Sequence, residues 1–404
     1  MAVLQTVLFE ARGTERLRSF LFLKETVLTE AEANTPAWAK RASVSFLIVS
    51  LLSIFSGCRA EEIPCEDRGR LHVICGLDNP EDLAALPGTP WVFFGQGYGV
   101  EGNQRGSISA MDPADEKVSI LFRGGSSGMP VPFEPGWGSR DCPGPPDQNF
   151  SPHGIDLAQR PDGQTRLLAV NHGGRESIEF FEVVHDGGEP ELIWRGCALA
   201  PQGAFLNDVV GLRDGGLLTT HMMEYGSNLS STLKGLLGMD TGFAYRWDPD
   251  TGFEMLPGSE GALPNGIQIS KDGETVFLDL YLASEVRVFD LKTGRVLHTL
   301  EISLPDNLTW TPDGKLLVAS HLGTIADSVD CMRVRKGACG MSFEIISIDP
   351  DTYETQTLFA HSGAPMGAGT AALDIGGELL IGSFASDRLL RVPLASSTDK
   401  LDDE

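Results

Sequence analysis

An all-β fold, a six-bladed β-propeller, is what this sequence predicts, and three observations carry the expectation. An Asp-Gly turn leading into a short apolar strand recurs at Asp162-Gly163 (then RLLAVNH), Asp214-Gly215 (GLLTTH), Asp272-Gly273 (TVFLDL) and Asp313-Gly314 (KLLVASH), with Gly376-Gly377 (ELLIGSF) as a fifth case. A second turn follows most of these, at Asp112-Pro113, Asp248-Pro249-Asp250, Asp290-Leu291-Lys292-Thr293-Gly294 and Asp349-Pro350-Asp351. Asp and Gly tolerate the backbone angles of tight hairpins, so each turn joins antiparallel strands. Third, 47 glycines and 24 prolines among 404 residues, with only 8% aromatic residues, fit many turns between short strands. Two hairpins per repeat of roughly fifty residues are the mark of propeller blades.

Taken in order, the blades fall at approximately 91–122, 150–195, 205–256, 263–300, 306–358 and 365–393. The segment from Leu71 to Gly76 is suited to supply an outer strand to the last blade and close the ring. Residues 123–149 and 222–242 read as excursions on the rim. The expected organisation is a leader over 1–58, a linker over 59–70, the propeller over 71–393 and an acidic tail over 394–404. A sandwich of two sheets is the alternative, but it rarely needs so many evenly spaced hairpins. The net charge of −25 argues against a nucleic-acid partner, because phosphate binding needs clustered Lys and Arg. Bound cations fit better.

The candidate chemistry lies where strands give way to loops. Pro152-His153-Gly154 and Val170-Asn171-His172 offer a histidine pair, and Leu206-Asn207-Asp208, Leu263-Pro264-Asn265-Gly266 and Leu304-Pro305-Asp306-Asn307 offer carboxamides and carboxylates. A lone Asn-Gly or Asn-Asp is usually a turn. Several such signals on separate blades point instead to a shared cation site. The motifs SPHGIDL, LLAVNHGGRESIEFFEV, LNDVVGL, LPNGIQISKDG, LPDNLTWTPDG and LLVASH, in this order from about Cys75 to Val392, resemble the paraoxonase and arylesterase family of calcium-dependent lactonases.

The resemblance implies two calcium ions in a central tunnel, one catalytic and one structural. By matching motifs, the catalytic ion would be held by Glu81, Asn207, Asn265, Asp306 and Asn307, and the deeper one by Asp82, Asp208 and the carbonyl of Ile155. Calcium takes six to eight oxygen ligands, and mixed carboxylate and carbonyl sets suit it. His153 and His172 match the family's dyad, in which one imidazole activates water and the other orients it or shuttles its proton. His321 matches a further histidine of the active-site wall. The implied activity is opening of lactones and cleavage of aryl esters, with a small-molecule substrate. Two alternatives stay open: a gluconolactonase-like sugar lactonase, which shares propeller and metal but lacks the dyad, and a non-catalytic propeller whose calcium only stiffens a binding surface.

Departures from the family pattern are local. Met222-Met223-Glu224 follows LLTTH without the Asn-Asp-His of the animal members, so no relay acid for His321 is evident there, and no cysteine follows Cys339 to close the ring. Gly124-Gly125-Ser126-Ser127-Gly128 satisfies the G-x-S-x-G pattern of serine hydrolases, but Pro130 and Pro132 forbid the helix that a nucleophile elbow requires.

Lys40-Arg41, the apolar run Val44 to Phe55 and Ser56-Gly57 before Cys58 resemble a bacterial lipoprotein signal. The remaining cysteines, Cys65, Cys75, Cys142, Cys197, Cys331 and Cys339, form an even set, as expected of disulfides in an oxidising compartment, with Cys331 and Cys339 the candidate local bridge. The expectation is an extracytoplasmic protein held to a membrane by its N-terminus. Cell fractionation and an N-terminal mass should then show a lipidated chain starting at Cys58, and Cys58→Ala should release the protein from the membrane fraction. An unmodified chain beginning upstream of residue 58 would reject the lipoprotein signal.

Overall fold

The computed structural model describes residues 63–97, 106–125, 132–334 and 336–394. The leader with Cys58, Ser126 to Gly128 of the glycine-rich loop, and the tail from residue 395 lie outside the described residues. Among those described, six antiparallel sheets of four strands each make a six-bladed β-propeller. The first five blades run in chain order: Leu83–Ala85 to Lys117–Arg123, Pro152–Gln159 to Glu191–Leu199, Ala204–Gly211 to Gly252–Met255, Pro264–Ile269 to Val296–Glu301, and Pro305–Trp310 to Thr355–His361. The first strands of successive blades touch one another around a closed ring. The hairpin chemistry is as the sequence suggests: Gly163, Gly215, Gly273 and Gly314 have φ between +82° and +96°. In three of these turns the preceding aspartate accepts a nearby backbone N–H, as Asp162 does from Gln164 at 3.0 Å.

The sixth blade is completed from the other end of the ring. Gly369–Asp374, Glu378–Ser383 and Arg388–Pro393 are joined by His72–Cys75 as the outermost strand, with His72 opposite Arg391 and Cys75 opposite Arg388. Arg388, fully buried, donates to the carbonyls of Ile63, Pro64 and Pro365 at 2.8, 2.6 and 3.0 Å. A Cys65–Cys75 disulfide fastens the same segment. Thus one strand pairing of four residue pairs, one buried guanidinium and a local disulfide close the ring without a cysteine near the C-terminus.

No single core fills the molecule; six apolar layers lie between neighbouring blades. Along the second blade, Leu167 and Ala169 pack toward the first, while Leu168 and Val170 pack toward the third. The other four interfaces are built in the same way. Both faces of the second strand of these blades are therefore buried, which is why LLAV, LLTT and LLVA read as continuous runs and not as alternation. On the rim, helix α1 (Asn228–Leu236) packs on the 3-10 turn Tyr281–Ala283, and helix α2 (Ile325–Cys331) begins at a capping box of Thr324 and Asp327. Disulfides Cys142–Cys197 and Cys331–Cys339 pin two rim segments.

Neighbouring inner strands approach so closely that some positions exclude a side chain. A Cβ on Gly266 would lie 2.4 Å from the Asp306 carbonyl oxygen and 2.8 Å from the Cα of Asn307. Gly188 meets only the Asp186 carboxylate at 3.7 Å. Gly266→Ala should therefore cost about 1–3 kcal/mol in denaturant unfolding, the range for overpacking, whereas Gly188→Ala should stay within roughly 0.5 kcal/mol of wild type. Equal effects would mean that the blades separate freely at the axis.

Candidate functional site

The sequence-predicted ligands share one local device. In the second blade, Pro152 pairs with Asn171 but Ile155 pairs with Ala169, so one extra residue is inserted over His153-Gly154. The same shift falls between Leu206 and Val209, between Pro264 and Ile267, and between Pro305 and Leu308. Each is a β-bulge, which re-aims side chains that a regular strand would commit to its faces. His153-Gly154, Asn207-Asp208, Asn265-Gly266 and Asp306-Asn307 thus occupy equivalent positions in four blades. Glu81-Asp82 comes just before the inner strand of the first.

The structure brings these residues together in two tiers. In one, Asp82 Oδ1 accepts from the Leu83 N–H at 2.8 Å and Oδ2 from the Ile155 N–H of the next blade at 2.7 Å. Asp208 repeats this with Val209 at 2.7 Å and Ile267 at 2.8 Å. Ile155, expected to offer its carbonyl, holds Asp82 through its N–H. In the other tier, Asn307 donates to Glu81 Oε1 at 2.7 Å, and Asn207 Nδ2 lies 3.2 Å from His153 Nε2. Glu81 Oε2 is 3.8 Å from the same histidine nitrogen.

Every one of these carboxylates and carboxamides is buried. Among the described residues, Glu81 Oε2, Asn207 Oδ1, Asn265 Oδ1 and Asn307 Oδ1 are buried acceptors without a donor. Burial pushes the Glu81 carboxyl up to about 7, although the Asn307 hydrogen bond opposes it. Burial, then neighbouring carboxylates, pushes Asp82, Asp208 and Asp306 well up. Among the described residues no three His, Cys, Asp or Glu side chains are placed to hold a metal by themselves. Carboxamide and carbonyl oxygens would have to complete the set, and a set made of oxygens suits a hard cation such as calcium. The four orphaned oxygens fit that role.

The histidines border this cluster. The rings of His153 and His172 are centred 5.2 Å apart. Burial, then the nearby His172, lowers His153 to about 3. His172 Nδ1 lies 3.1 and 3.0 Å from the two Glu176 oxygens, its ring stacks on Phe205 at 4.6 Å, and its Nε2 is buried without a partner. His321, at the end of a fifth-blade strand, places Nδ1 2.9 Å from the Tyr281 hydroxyl and 3.6 Å from Asp306 Oδ2. Burial lowers it to about 4.

Four residues near the site were not anticipated. Asp279 is fully buried with neither oxygen bonded among the described residues, and burial followed by Asp306 pushes its carboxyl well up. His221 accepts the Phe205 N–H at 3.2 Å. Its place at the end of LLTTH, like that of His321 at the end of LLVASH, was a signal that could have found it. Tyr281 and Glu176 sit in turns whose direction no local pattern reveals. A cavity of about 720 Å³ reaches Asp82, Ile155 and Asp208 and is lined by none of the histidines, so the lower tier has its own opening.

Burial of these carboxyls makes metal-free stability depend on pH. Glu81, raised from 4.5 to about 7, keeps a proton that the unfolded chain has already released in that window, so stability falls as pH rises through it. Chelator-treated protein should melt at a lower temperature at about pH 8 than at about pH 5, and calcium should restore most of the difference at the higher pH. A melting temperature indifferent to both pH and calcium would show that the cluster binds no cation.

With this geometry in view, the relatives are informative. The arylesterase family model matches residues 140–390, more than half of the chain. Human serum paraoxonase/arylesterase 1 is 24% identical over 324 residues, covering 77% of this chain and 85% of that protein. Human serum paraoxonase/arylesterase 2 is 22% identical over 338 residues, covering 80% and 89%. Among solved structures, a gluconolactonase from Xanthomonas campestris aligns with 84% of this chain and 99% of its own at 16% identity and a TM-score of 0.48. On the match across its propeller, this chain belongs to the arylesterase family.

Proposed function

We propose that this esterase-type propeller is a calcium-dependent hydrolase that opens lactones and cleaves aryl esters. The observation that carries the reading is the set of buried oxygens of Glu81, Asn207, Asn265 and Asn307 that have no donor among the described residues, beside a histidine pair of which His172 is buried and His153 half-buried. A cation site that served only to stiffen the ring would need no imidazoles beside it. Glu81, Asn207, Asn265, Asp306 and Asn307 would hold the catalytic ion; Asp82, Asp208 and the Ile155 carbonyl would hold the deeper one. When bound, calcium supplies polarisation of the carbonyl oxygen and electrostatic stabilisation of the oxyanion.

The chain's own groups do the rest. His153 and His172 orient a water and take up its proton, a general-base role that neutral imidazoles commonly fill. Tyr281 of the fourth blade and Asp306 of the neighbouring strand in the histidine's own blade lie at His321 Nδ1, so the acid missing after LLTTH has a counterpart in Asp306. Three disulfides support an oxidising compartment, and with Lys40 to Cys58 they support an extracytoplasmic, membrane-anchored enzyme. Among the described residues no helix is long and apolar enough to cross a membrane. The formal charge of −25 fits a small-molecule substrate and no nucleic acid.

Titrating acid release from a panel of γ- and δ-lactones and phenyl acetate should show hydrolysis that stops on chelation and returns with calcium. The double variant His153→Gln/His172→Gln should lose roughly two to four orders of magnitude in kcat/KM while retaining its metal. Near wild-type rates in that variant, or full activity after proven metal removal, would end this reading.

A further inference from the structure

The two histidines are not equivalent, and the difference lies in what occupies their nitrogens. Asn207 Nδ2 lies 3.2 Å from His153 Nε2, so the lone pair there already has a donor. His172 is arranged the other way round. Its Nδ1 faces the Glu176 carboxylate at 3.0 and 3.1 Å, while its Nε2 is buried and has no partner among the described residues. A carboxylate only accepts, so the proton of a neutral His172 sits on Nδ1 and the free lone pair is on Nε2.

Glu176 is itself held. Its Oε1 accepts the Leu206 N–H at 2.6 Å, its side chain is 14% exposed, and its backbone carbonyl accepts the Ala200 N–H at 3.0 Å. The Phe205 ring lies against the His172 face with an interplanar angle of 13°, which prevents the imidazole from swinging away. Carboxylate, imidazole and backing ring thus form one rigid unit, made from the turn after a second-blade strand and the start of a third-blade strand.

From this geometry we propose that Glu176 is a positioning residue that fixes the tautomer of His172 and makes His172, with Nε2 as acceptor, the base of the dyad. The proposal rests on the hydrolase reading above and assigns roles within it: His153, tied to Asn207, orients the water. Water oxygen bonds to the ester carbon as one of its protons passes to His172 Nε2. The ester C–O bond then breaks, and the same proton goes to the departing alkoxide oxygen, leaving a hydroxy acid from a lactone or an acid and a phenol from an aryl ester. No oxidant or further reactant is needed. Orienting an imidazole by a carboxylate on its other nitrogen is the logic of acid-histidine pairs in general, where a wrong tautomer costs several orders of magnitude in rate.

The test uses the full-length, calcium-loaded protein and Glu176→Gln, Glu176→Ala, His172→Gln and His153→Gln variants. Long-range proton–nitrogen NMR of imidazole-labelled protein should show His172 protonated at Nδ1 in wild type, and mixed or reversed in Glu176→Gln. For Glu176→Gln, kcat should fall about 10- to 1,000-fold with KM within a few-fold, and calcium content and melting temperature should be retained. His172→Gln should lose more activity than His153→Gln. The assignment is overturned if wild-type His172 carries its proton on Nε2, if Glu176→Gln keeps its kcat, or if Glu176→Gln and Glu176→Ala lose activity only together with calcium. The NMR arm reads the tautomer without any substrate, so a protein that failed to hydrolyse every lactone would sink the hydrolase reading and leave the Glu176–His172 arrangement to be judged separately.

Discussion

The arrangement of this molecule depends on a concentration of like charge at its axis. Glu81, Asp82, Asp208, Asp279 and Asp306 come from four blades, are all buried, and are joined to no lysine or arginine by an ion pair among the described residues. Burying several carboxylates without cations is so costly that they must be protonated or matched by a bound cation. Two of them are partly compensated by backbone: Asp82 and Asp208 each accept one N–H from the next residue and one from the next blade. Glu81 and Asp279 keep oxygens with no donor among the described residues, and that of Glu81 lies beside His153.

That division separates carboxylates that tie blades together from oxygens that the proposed reading assigns to chemistry. The lower carboxylates stitch first blade to second and third to fourth, so anything that holds them holds the ring. The upper group spends few of its oxygens on the protein, which leaves them for something else. Inter-blade polar links elsewhere follow the same plan, as when Asp156 accepts the Gly211 N–H at 2.8 Å and Arg166 donates to the carbonyls of Gly215 and Gly216. Between these links lie the six apolar layers, whose burial supplies the bulk of the driving force for docking blade on blade.

The bulge in the inner strands connects fold to site. A regular strand would send consecutive side chains to opposite blade faces, into the apolar layers. One inserted residue turns a His-Gly, Asn-Asp, Asn-Gly or Asp-Asn pair toward the axis instead, at a place where the next blade comes so close that a Cβ on Gly154 would lie 2.6 Å from the Asn207 carbonyl oxygen. The proline before three of these pairs suits a strand start, since its missing N–H leaves no ladder bond unmade.

Much of this was legible in the residues themselves, because it is local. The Asp-Gly and Asp-Pro turns mark hairpins through backbone angles, and the apolar runs mark strands buried on both faces. The strand Leu83–Ala85 went unread, since three residues without a flanking Asp-Gly turn carry too little pattern. The motifs around His153, Asn207, Asn265 and Asp306 signalled a site by their recurrence on separate repeats. What they could not show is partnership across the ring. The bond from Asn307 to Glu81 spans 226 positions, and the one from Ile155 to Asp82 spans 73, distances over which no periodicity informs. Whether His321 has a supporting acid was decided the same way: Tyr281 and Asp306 reach it from other strands, though the residues after LLTTH promised nothing. The sequence by itself determined the blades and the kinds of donor available at the axis, because turn angles and burial periods are properties of neighbouring residues. Only the tertiary structure decided which oxygens were left without a donor and which histidine nitrogen was left free, because those outcomes depend on how the closed ring brings distant strands within hydrogen-bonding reach.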